Sequence, residues 1–536
     1  MGTSLNARSR LTAGIFALAF LTAAPRLPAA EAPPQYDVVV MGGTASGIAA
    51  AVSAARLGSK VILVDENRHL GGMASSGLGK SDIEHRPFIQ GFFREFVDRV
   101  KKAYSDKYGP DSENVKLSRD GYYYEPSVAG QVFQSFVDEC QLRLTLLPSH
   151  AFLHAVCDHG RMQAIVVQDL ASGTTQTISG RVFIDATYEG DVFASAGAKF
   201  RLGREGRDVF GEAHAGQIYF DWLTKTPIGG TGEGDDRLQT YSYRLCLSTV
   251  AQNQSPLTQP PPDYDRTRYL GYVQDLESGR FGKKADLTRI AFSIAAIPNG
   301  KTDVNMNPRS LGFAFVGENT GYIEADLAGR QKIRDHLRDL TLGLLWFLQN
   351  DPSVPEASRL TARKYHLAKD EFTDNENFPF QLYVREGRRL LGEYTLTEHD
   401  ITRQGEDGQP SLQPDAIAVG EFPIDSFPYQ KRNPNNDHVL EGYLCMLSGI
   451  TRPYQIPYRI MVPEKIDGLL VPVAASTSHV AFGSIRMEPT WMALGQAAGI
   501  AASLADQAAV EPRAIDIATL QTALRQAGAV LDIPQP

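Results

Sequence analysis

The chain has 536 residues, with 53 Lys and Arg against 62 Asp and Glu and a formal net charge of −9. Its 43% hydrophobic and 21% charged content is that of a soluble folded protein, with material for one large or two interleaved domains. The acidity is spread out and no Lys/Arg-rich run is present, which excludes the electrostatic footprint that nucleic-acid binding needs.

At the N-terminus, Arg8 and Arg10 precede the apolar run LTAGIFALAFLTAA, and small residues follow in LPAAEA. The run is too short to span a bilayer and has the order of a secretory signal peptide over residues 1–32, with removal near Ala30 or Ala32. The mature protein is therefore expected to be periplasmic or secreted, with no stable membrane span. Ser9 splits the two arginines, against a twin-arginine signal, and no nearby cysteine offers a lipidation site.

Residues 33–200 carry the pattern of a nucleotide-binding domain. The β-branched run ending at Met41 predicts a buried parallel strand, and ASGIAAAVSAARLG predicts a helix whose small residues pack close to a sheet. Gly58 ends that helix and KVILVDE is the second strand. Gly42 permits the tight turn and Gly47 lets the helix lie against the strand, so that the helix N-terminus faces a pyrophosphate. Thr44 stands where a glycine usually lets the phosphate come nearest. Gly43 supplies the flexibility one residue earlier, and the Thr44 hydroxyl is expected to donate to a phosphate oxygen. Asp65 follows Gly42 at about the twenty-residue interval of a carboxylate that accepts from an adenosine ribose.

The next stretch, ENRHLGGMASSGLGKSD, brings Arg68, Gly71, Gly72, Gly77 and Gly79 to the mouth of the fold. Such bare backbone suits a long extended cofactor, with Arg68 available to a phosphate. Further on, RLTLLPSHAFLHAVCDHGRMQAIVVQDLASGTTQTISGRVFIDAT reads as a strand, an antiparallel meander with turns at DHG and ASG, and a return strand. A parallel sheet interrupted by a meander is how flavoprotein nucleotide domains are built. The fold class is thus α/β, a Rossmann-like doubly wound FAD-binding domain with a β-meander insertion.

Residues 201–459 lack βα alternation and mix Pro/Gly-rich loops with one clear helix, AGRQKIRDHLRDLTLGLLWFLQ, as expected of a second, inserted α+β substrate domain. The nucleotide domain resumes over 460–536. There DGLLVPVA is a buried strand, and Pro489 opens a helix with a small-residue face at Ala493, Ala497, Ala498 and Ala501. The positive end of this helix would stabilise negative charge on a reduced flavin. Four cysteines, Cys140, Cys157, Cys246 and Cys445, lie far apart, so any pair is open to bridging and no zinc spacing is present.

The segments VVVMGGTASGIAAAVSAARLGSKVILVDENRHLGGM, FIDATYEGD, GREGRD, YSYRLCLS, IPNGKTDVN, FPFQLYVREGRRLLGEY and SHVAFGSIRMEPTWMALGQAAGIAA resemble the FAD-dependent oxidoreductase family of largely secreted bacterial proteins, some of them labelled xanthan lyase. The resemblance runs from about Tyr36 to Ala505 and includes threonine in the glycine knot. It implies a glutathione-reductase-type domain with FAD stretched across it and an inserted domain covering the flavin. Many relatives have histidine after the Asp-Ser pair where this chain has Phe427. Residues expected at the cofactor are Gly42, Gly43, Thr44, Ser46, Gly47, Asp65, Glu66, Arg68, Gly71, Gly72, Met73, Ala186, Asp191, Gly483 and Glu488, and no metal is expected.

Ligands in open α/β folds sit beyond the carboxyl ends of the strands, which brings the 476–488 loop and the inserted domain over the flavin. His479 is the first choice for a general base, being near neutral in ordinary surroundings, with a hydrogen-bonded structural histidine as the alternative. Arg486 fixes an anionic substrate or reduced flavin, or pairs with Glu488. Arg385, Arg388 and Arg389 with Glu386 read as one helix face, with at least one, Arg385 first, reaching the substrate or a phosphate and the rest in structural ion pairs. Tyr383, Asp303 and Asn305 suggest a pocket that grips hydroxyl groups. The pairs Asp235–Asp236 and Glu406–Asp407 read as solvated loops rather than a glycosidase pair, and no GxSxG is present.

These readings lead to a secreted enzyme that removes hydride from a small polar, hydroxyl-bearing, carbohydrate-like substrate. Reoxidation is expected from oxygen or a quinone-like electron acceptor. The alternatives are a flavin-dependent lyase or isomerase without net oxidation, and a secreted binding protein with a vestigial nucleotide site. The sequence leaves open whether the flavin is held covalently, for instance at His69, or non-covalently.

Overall fold

The β-branched run builds the central strand β1 (Tyr36–Met41), with Val38 and Val40 fully buried. Gly42 takes φ +107°, a conformation that favours glycine, and turns the chain into α1 (Ala45–Arg56). A second positive φ at Gly58 releases it into β2 (Val61–Val64), parallel to β1 with Val38 opposite Val61. The crossover contains α2 (Phe92–Tyr108) and α3 (Pro126–Glu139) and leads to β3 (Leu144–Leu147), parallel to β2. The computed structural model describes Met1 and residues 35–221, 224, 226–282, 284–402, 408–431 and 440–533. The expected signal peptide, beyond Met1, and the Glu406–Asp407 pair lie outside the described residues.

The meander follows as β4 (His150–Asp158), β5 (Arg161–Asp169) and β6 (Thr175–Asp185). Strand β6 serves two sheets. Its first half runs antiparallel to β5, from Thr175 to Ser179, and its second half lies parallel to β1, with Val182 opposite Val38. On its other side Phe183 pairs with Leu469 of the short parallel strand Leu469–Leu470. The parallel order is therefore β3-β2-β1-β6, continued by the strand from the C-terminal part of the chain.

Between residues 201 and 459 an antiparallel sheet is built from β7 (Leu245–Ser248), β8 (Phe292–Ile297), β9 (Lys301–Met306) and β10 (His366–Ala368), with Gln254–Ser255 at one edge. The expected long helix is α4 (Leu327–Asn350), capped at its start by the Asp326 side chain. The chain then returns through α5 (His479–Ile485) to α6 (Glu488–Ala508), with proline in its first turn. The chain is thus α/β, Rossmann-like, with a further mixed region.

Helix α6 lies against α1 more closely than its alanines imply. A Cβ added to Gly495 would stand 2.1 Å from the Ser46 carbonyl oxygen, and one added to Gly499 would stand 2.1 Å from that of Ala50. These glycines, not only the alanine face, set the approach of the two helices.

Two readings are corrected. Residues 384–388 are not helical, and Arg389–Leu390 form a short strand against Phe200–Arg201. Fully buried Arg385 and Arg389 are held by partners distant in sequence, which spacing along a helix cannot reveal. All four cysteines are free.

Candidate functional site

Thr44 is the N-cap of α1. Its hydroxyl oxygen accepts from the Gly47 amide at 3.1 Å, and its proton goes to the Ala186 carbonyl at 3.0 Å. This corrects the expectation that the hydroxyl serves a phosphate, because its donor is already used. The amides of Ala45 and Ser46, which as first-turn groups have no intrahelical acceptor, are left for an anion. No acidic residue stands in that first turn.

A cavity of about 60 Å³ opens at this turn, lined among others by Gly42, Thr44, Asp65, Glu66, Tyr188, Asp191, Arg330, Arg334 and Gln381. Asp65 is buried at the end of β2, and the close fit is visible at Gly43, where an added Cβ would meet its carboxylate at 2.4 Å. Burial, with Glu66 beside it, pushes the Asp65 carboxyl up to about 7 against backbone hydrogen bonds from Asn67, Gly43 and Glu66. Glu66 pairs with Arg334 at 2.6 Å. Asp191 pairs with Arg330 at 2.5 Å and with Arg388 at 2.8 Å. Arg388 thus closes the carboxylate-rich wall rather than contacting a phosphate.

Gly71 is tied to the glycine turn, its amide donating to the Gly43 carbonyl at 2.7 Å, and the Met73 amide donates to the Tyr188 hydroxyl at 3.0 Å. Tyr188 in turn donates to Glu488 Oε1 at 2.7 Å. Glu488 sits in the first turn of α6, and burial pushes its carboxyl up to about 8, so it carries its proton at neutral pH. Its Oε2 is buried and has no hydrogen-bond partner among the described residues. Arg68 and His69 face elsewhere. They line a separate cavity with Phe372 and Phe380, His69 stacked on Phe380 and 2.9 Å from Asp374, and Arg68 is largely exposed.

A second cavity, about 180 Å³, is bordered by Lys80, Asp82, Glu84, Arg244, Ser293, Asp303, Asn305, Tyr383, Asp425, Phe427 and Arg486, with Phe422 and Met487 among its apolar walls. Gln381 borders the first cavity and Tyr383 the second, so one short stretch of chain touches both. The pocket expected from Tyr383, Asp303 and Asn305 is where these three meet.

Arg385 lies behind this wall. Its guanidinium carbon stands 3.6 Å from the Phe427 ring centre and 4.2 Å from that of Tyr383, and its nitrogens donate to Thr240 O, Ser242 Oγ and Asn305 Oδ1. No ion pair neutralises it among the described residues. Burial, with Arg486 and Arg244 nearby, lowers its pKa to about 9 against the pull of Tyr383. Arg486 does not pair with Glu488. It donates to the Tyr383 hydroxyl at 3.2 Å and to the Asp425 carbonyl at 3.1 Å, and its Nη2 is 3.5 Å from the Asp425 carboxylate.

His479 is placed outside the lining of both cavities. Its Nε2 accepts from the Gly216 amide at 3.1 Å and its own amide donates to Glu205 at 2.9 Å. Burial, together with Arg389 and Arg204, holds the imidazole well below its usual pKa, so the near-neutral base expected from sequence is instead a neutral acceptor inside the fold. Gly483 is set against Asp425, whose amide donates to the Gly483 carbonyl at 3.3 Å. Asp235 also departs from expectation, because it is bound to buried Arg204 at 2.6 Å.

Sequence reading missed Lys80, Asp82, Arg244, Asp425 and Tyr188. Lys80 and Asp82 stand directly after the second glycine cluster, and Asp425 two residues before Phe427. Those positions were the available signal.

The arrangement suits a dinucleotide. It has a helix N-terminus without a competing acid, a buried carboxyl at the end of the second strand, and an orphaned carboxyl oxygen at the start of α6.

The model of a family described as FAD dependent oxidoreductase matches residues 37–524. No curated protein matches the chain. Among solved structures, THI4 of Thermovibrio ammonificans is 16% identical over 35% of this chain and 67% of that one, with a TM-score of 0.22. The glycerol-3-phosphate dehydrogenase from Bacillus halodurans, complexed with FAD, is 16% identical over 35% of this chain and 43% of that one, with a TM-score of 0.22. The myxobacterial chondrochloren halogenase CndH is 10% identical over 51% of this chain and 52% of that one, with a TM-score of 0.25. The match spans less than two thirds of the length of the last two.

Proposed function

Because this chain belongs to the FAD-dependent oxidoreductase family, and is an oxidoreductase with FAD as cofactor, we propose that it oxidises a small polar, hydroxyl-bearing, carbohydrate-like compound in the cavity between Asp303, Tyr383 and Arg486. FAD, when bound, would supply the two-electron oxidant for this substrate. The Ala45 and Ser46 amides would hold its diphosphate and Asp65 its ribose hydroxyls. Glu488, protonated by burial, has one oxygen left with which to donate or accept a hydrogen bond.

The observation that carries the substrate class is the lining of the second cavity, where charged and amide side chains alternate with Phe422, Phe427 and Met487. Buried polar groups lose about 1–3 kcal/mol each when left unpaired, so such a site favours a ligand rich in hydroxyl groups over an apolar one. Tyr383 and Arg486 orient the reacting end, and Arg385 stiffens the aromatic wall behind it.

The basic, apolar and small-residue order of residues 8–32 supports export to the periplasm or beyond. Nicotinamide nucleotides are scarce there, which favours oxygen or a quinone-like carrier as the final acceptor. Among the described residues no helix is long and apolar enough to cross a membrane.

The test is anaerobic mixing of the yellow protein with sugars, polyols, amines and aromatic alcohols. Bleaching by a sugar or polyol, with colour restored by air, is the expected result. Product formed while the flavin stays yellow would point to lyase or isomerase chemistry instead.

A further inference from the structure

We propose that Asp425 is the base that takes the substrate's hydroxyl proton, an assignment that rests on the alcohol oxidation proposed above. Four carboxylates border the second cavity, Asp82, Glu84, Asp303 and Asp425. Two of them, Asp303 and Glu84, are poor choices. Asp303 accepts both donors of the Arg244 fork at 2.8 and 2.9 Å and the Gly79 amide at 3.1 Å. Asp82 leans on the same guanidinium at 3.4 Å. Glu84 is exposed to bulk water, away from a dry reacting centre.

Asp425 is used no more heavily than Asp82, and what sets it apart is its guanidinium neighbour, Arg486, which also donates to the Tyr383 hydroxyl. Asp425 Oδ1 is 3.4 Å from the Met446 amide and its Oδ2 is 3.5 Å from Arg486 Nη2, both at the long limit of hydrogen bonding. Its carboxylate has no shorter partner among the described residues. A carboxylate offers about four lone-pair sites, so much of its accepting capacity is spare. The side chain keeps 20% of its surface accessible and lines the cavity.

Its backbone, by contrast, is fixed. The carbonyl accepts from Arg486 at 3.1 Å and the amide donates to Gly483 at 3.3 Å. An immobile main chain thus presents an under-used carboxylate beside Tyr383, whose hydroxyl also receives Arg486. This is the placement a general base needs before its proton affinity matters.

The charges around Asp425 suit the task. Burial is the dominant influence, Arg486 and Arg385 favour the anion, Asp82 opposes it, and the Tyr443 hydroxyl lies close by. Together they push the carboxyl up to about 6, basic enough to take a proton yet mostly ionised at neutral pH. His479 lacks both the access and the basicity. In the step, the hydroxyl proton passes to Asp425, the O–H electron pair becomes the second carbon–oxygen bond, and the carbon's hydrogen leaves with its pair to the flavin oxidant. The Asp425 proton is then released to solvent.

The experiment uses holoenzyme, wild type and the variants Asp425→Asn and Asp425→Glu, with whichever of glycerol, D-mannitol and D-glucose bleaches the wild type fastest. Asp425→Asn is expected to keep its flavin spectrum and lose about 10²–10⁴-fold in reduction rate. KM should change far less, and the wild-type inflection near pH 6 should vanish. Asp425→Glu should recover part of the rate. Calorimetric binding of the same probe to dithionite-reduced enzyme, which cannot turn over, should weaken below pH 6 in the wild type and be independent of pH in Asp425→Asn.

An Asp425→Asn protein that stays yellow and reduces within threefold of the wild type overturns the assignment alone. Should Asp425→Asn fail to fold, the wild-type profile decides. An inflection near pH 6 that moves in Asp425→Glu supports the assignment, and a flat profile from pH 5 to 7 overturns it. A wild type bleached by none of the three probes overturns the alcohol-oxidation reading and this assignment with it.

Discussion

Thr44 and Ala186 are joined by a hydrogen bond of 3.0 Å from the threonine hydroxyl to the alanine carbonyl, across the mouth of the nucleotide cavity. The same oxygen caps α1 through Gly47. The side chain that interrupts the glycine knot therefore belongs to the scaffold. Thr44→Ala is expected to lower the unfolding free energy by about 1–2 kcal/mol, the usual loss for a cap, and to leave FAD binding within a few-fold. Denaturant unfolding and flavin absorbance after gel filtration check this. Loss of colour with an unchanged midpoint would return the hydroxyl to a phosphate role.

Gly495→Ala is expected to do more damage. The new Cβ would stand 2.1 Å from the Ser46 carbonyl, a backbone atom that cannot rotate away. Overpacking of this kind costs about 1–3 kcal/mol or more, and here it displaces the first turn of α1, whose amides are proposed above to hold the diphosphate. A lower thermal midpoint together with weaker FAD retention is the expected pair of results. A lower midpoint with unchanged FAD affinity would show that α1 moves as a whole and keeps its turn.

The pH dependence of the flavin-free protein has a defined sign. Glu488 rises from its ordinary 4.5 to about 8 and Asp65 from 3.8 to about 7 on folding. Between those limits the folded chain keeps protons that the unfolded chain has released. These two groups therefore contribute most stability below about pH 4, and that contribution is lost as pH rises through 7 and 8. Unfolding free energies measured from pH 5 to 9 should fall for this reason, and Glu488→Gln should flatten the upper part of the curve. A variant curve parallel to the wild type would remove Glu488 from the account.

Much of the scaffold was legible because local pattern and tertiary role agree there. Valines that alternate or run together made β1, β2 and the meander readable, and Pro489 marked the start of α6. The stretch around Arg385 was not legible. Its charges are held largely by Thr240, Ser242, Glu205 and Asp191, each far along the chain, while Arg389 and Glu386, three residues apart, also pair at 3.0 Å. His479 misled for a related reason, since its residue type shows reactivity but not the Gly216 amide that occupies Nε2. Asp425 sits in an aperiodic loop, where sequence gives no direction to a side chain.

The double membership of β6 separates two kinds of freedom. Its Asp185 end leads straight into the nucleotide cavity, whereas the turn that enters it, around Gly173, is exposed and open beyond the backbone. Residues gained or lost at that turn change little besides loop-closure entropy, about 0.6 kcal/mol per doubling of length. The hairpin is thus a place where descendants of this chain can diverge in outline while the cofactor trough stays under constraint.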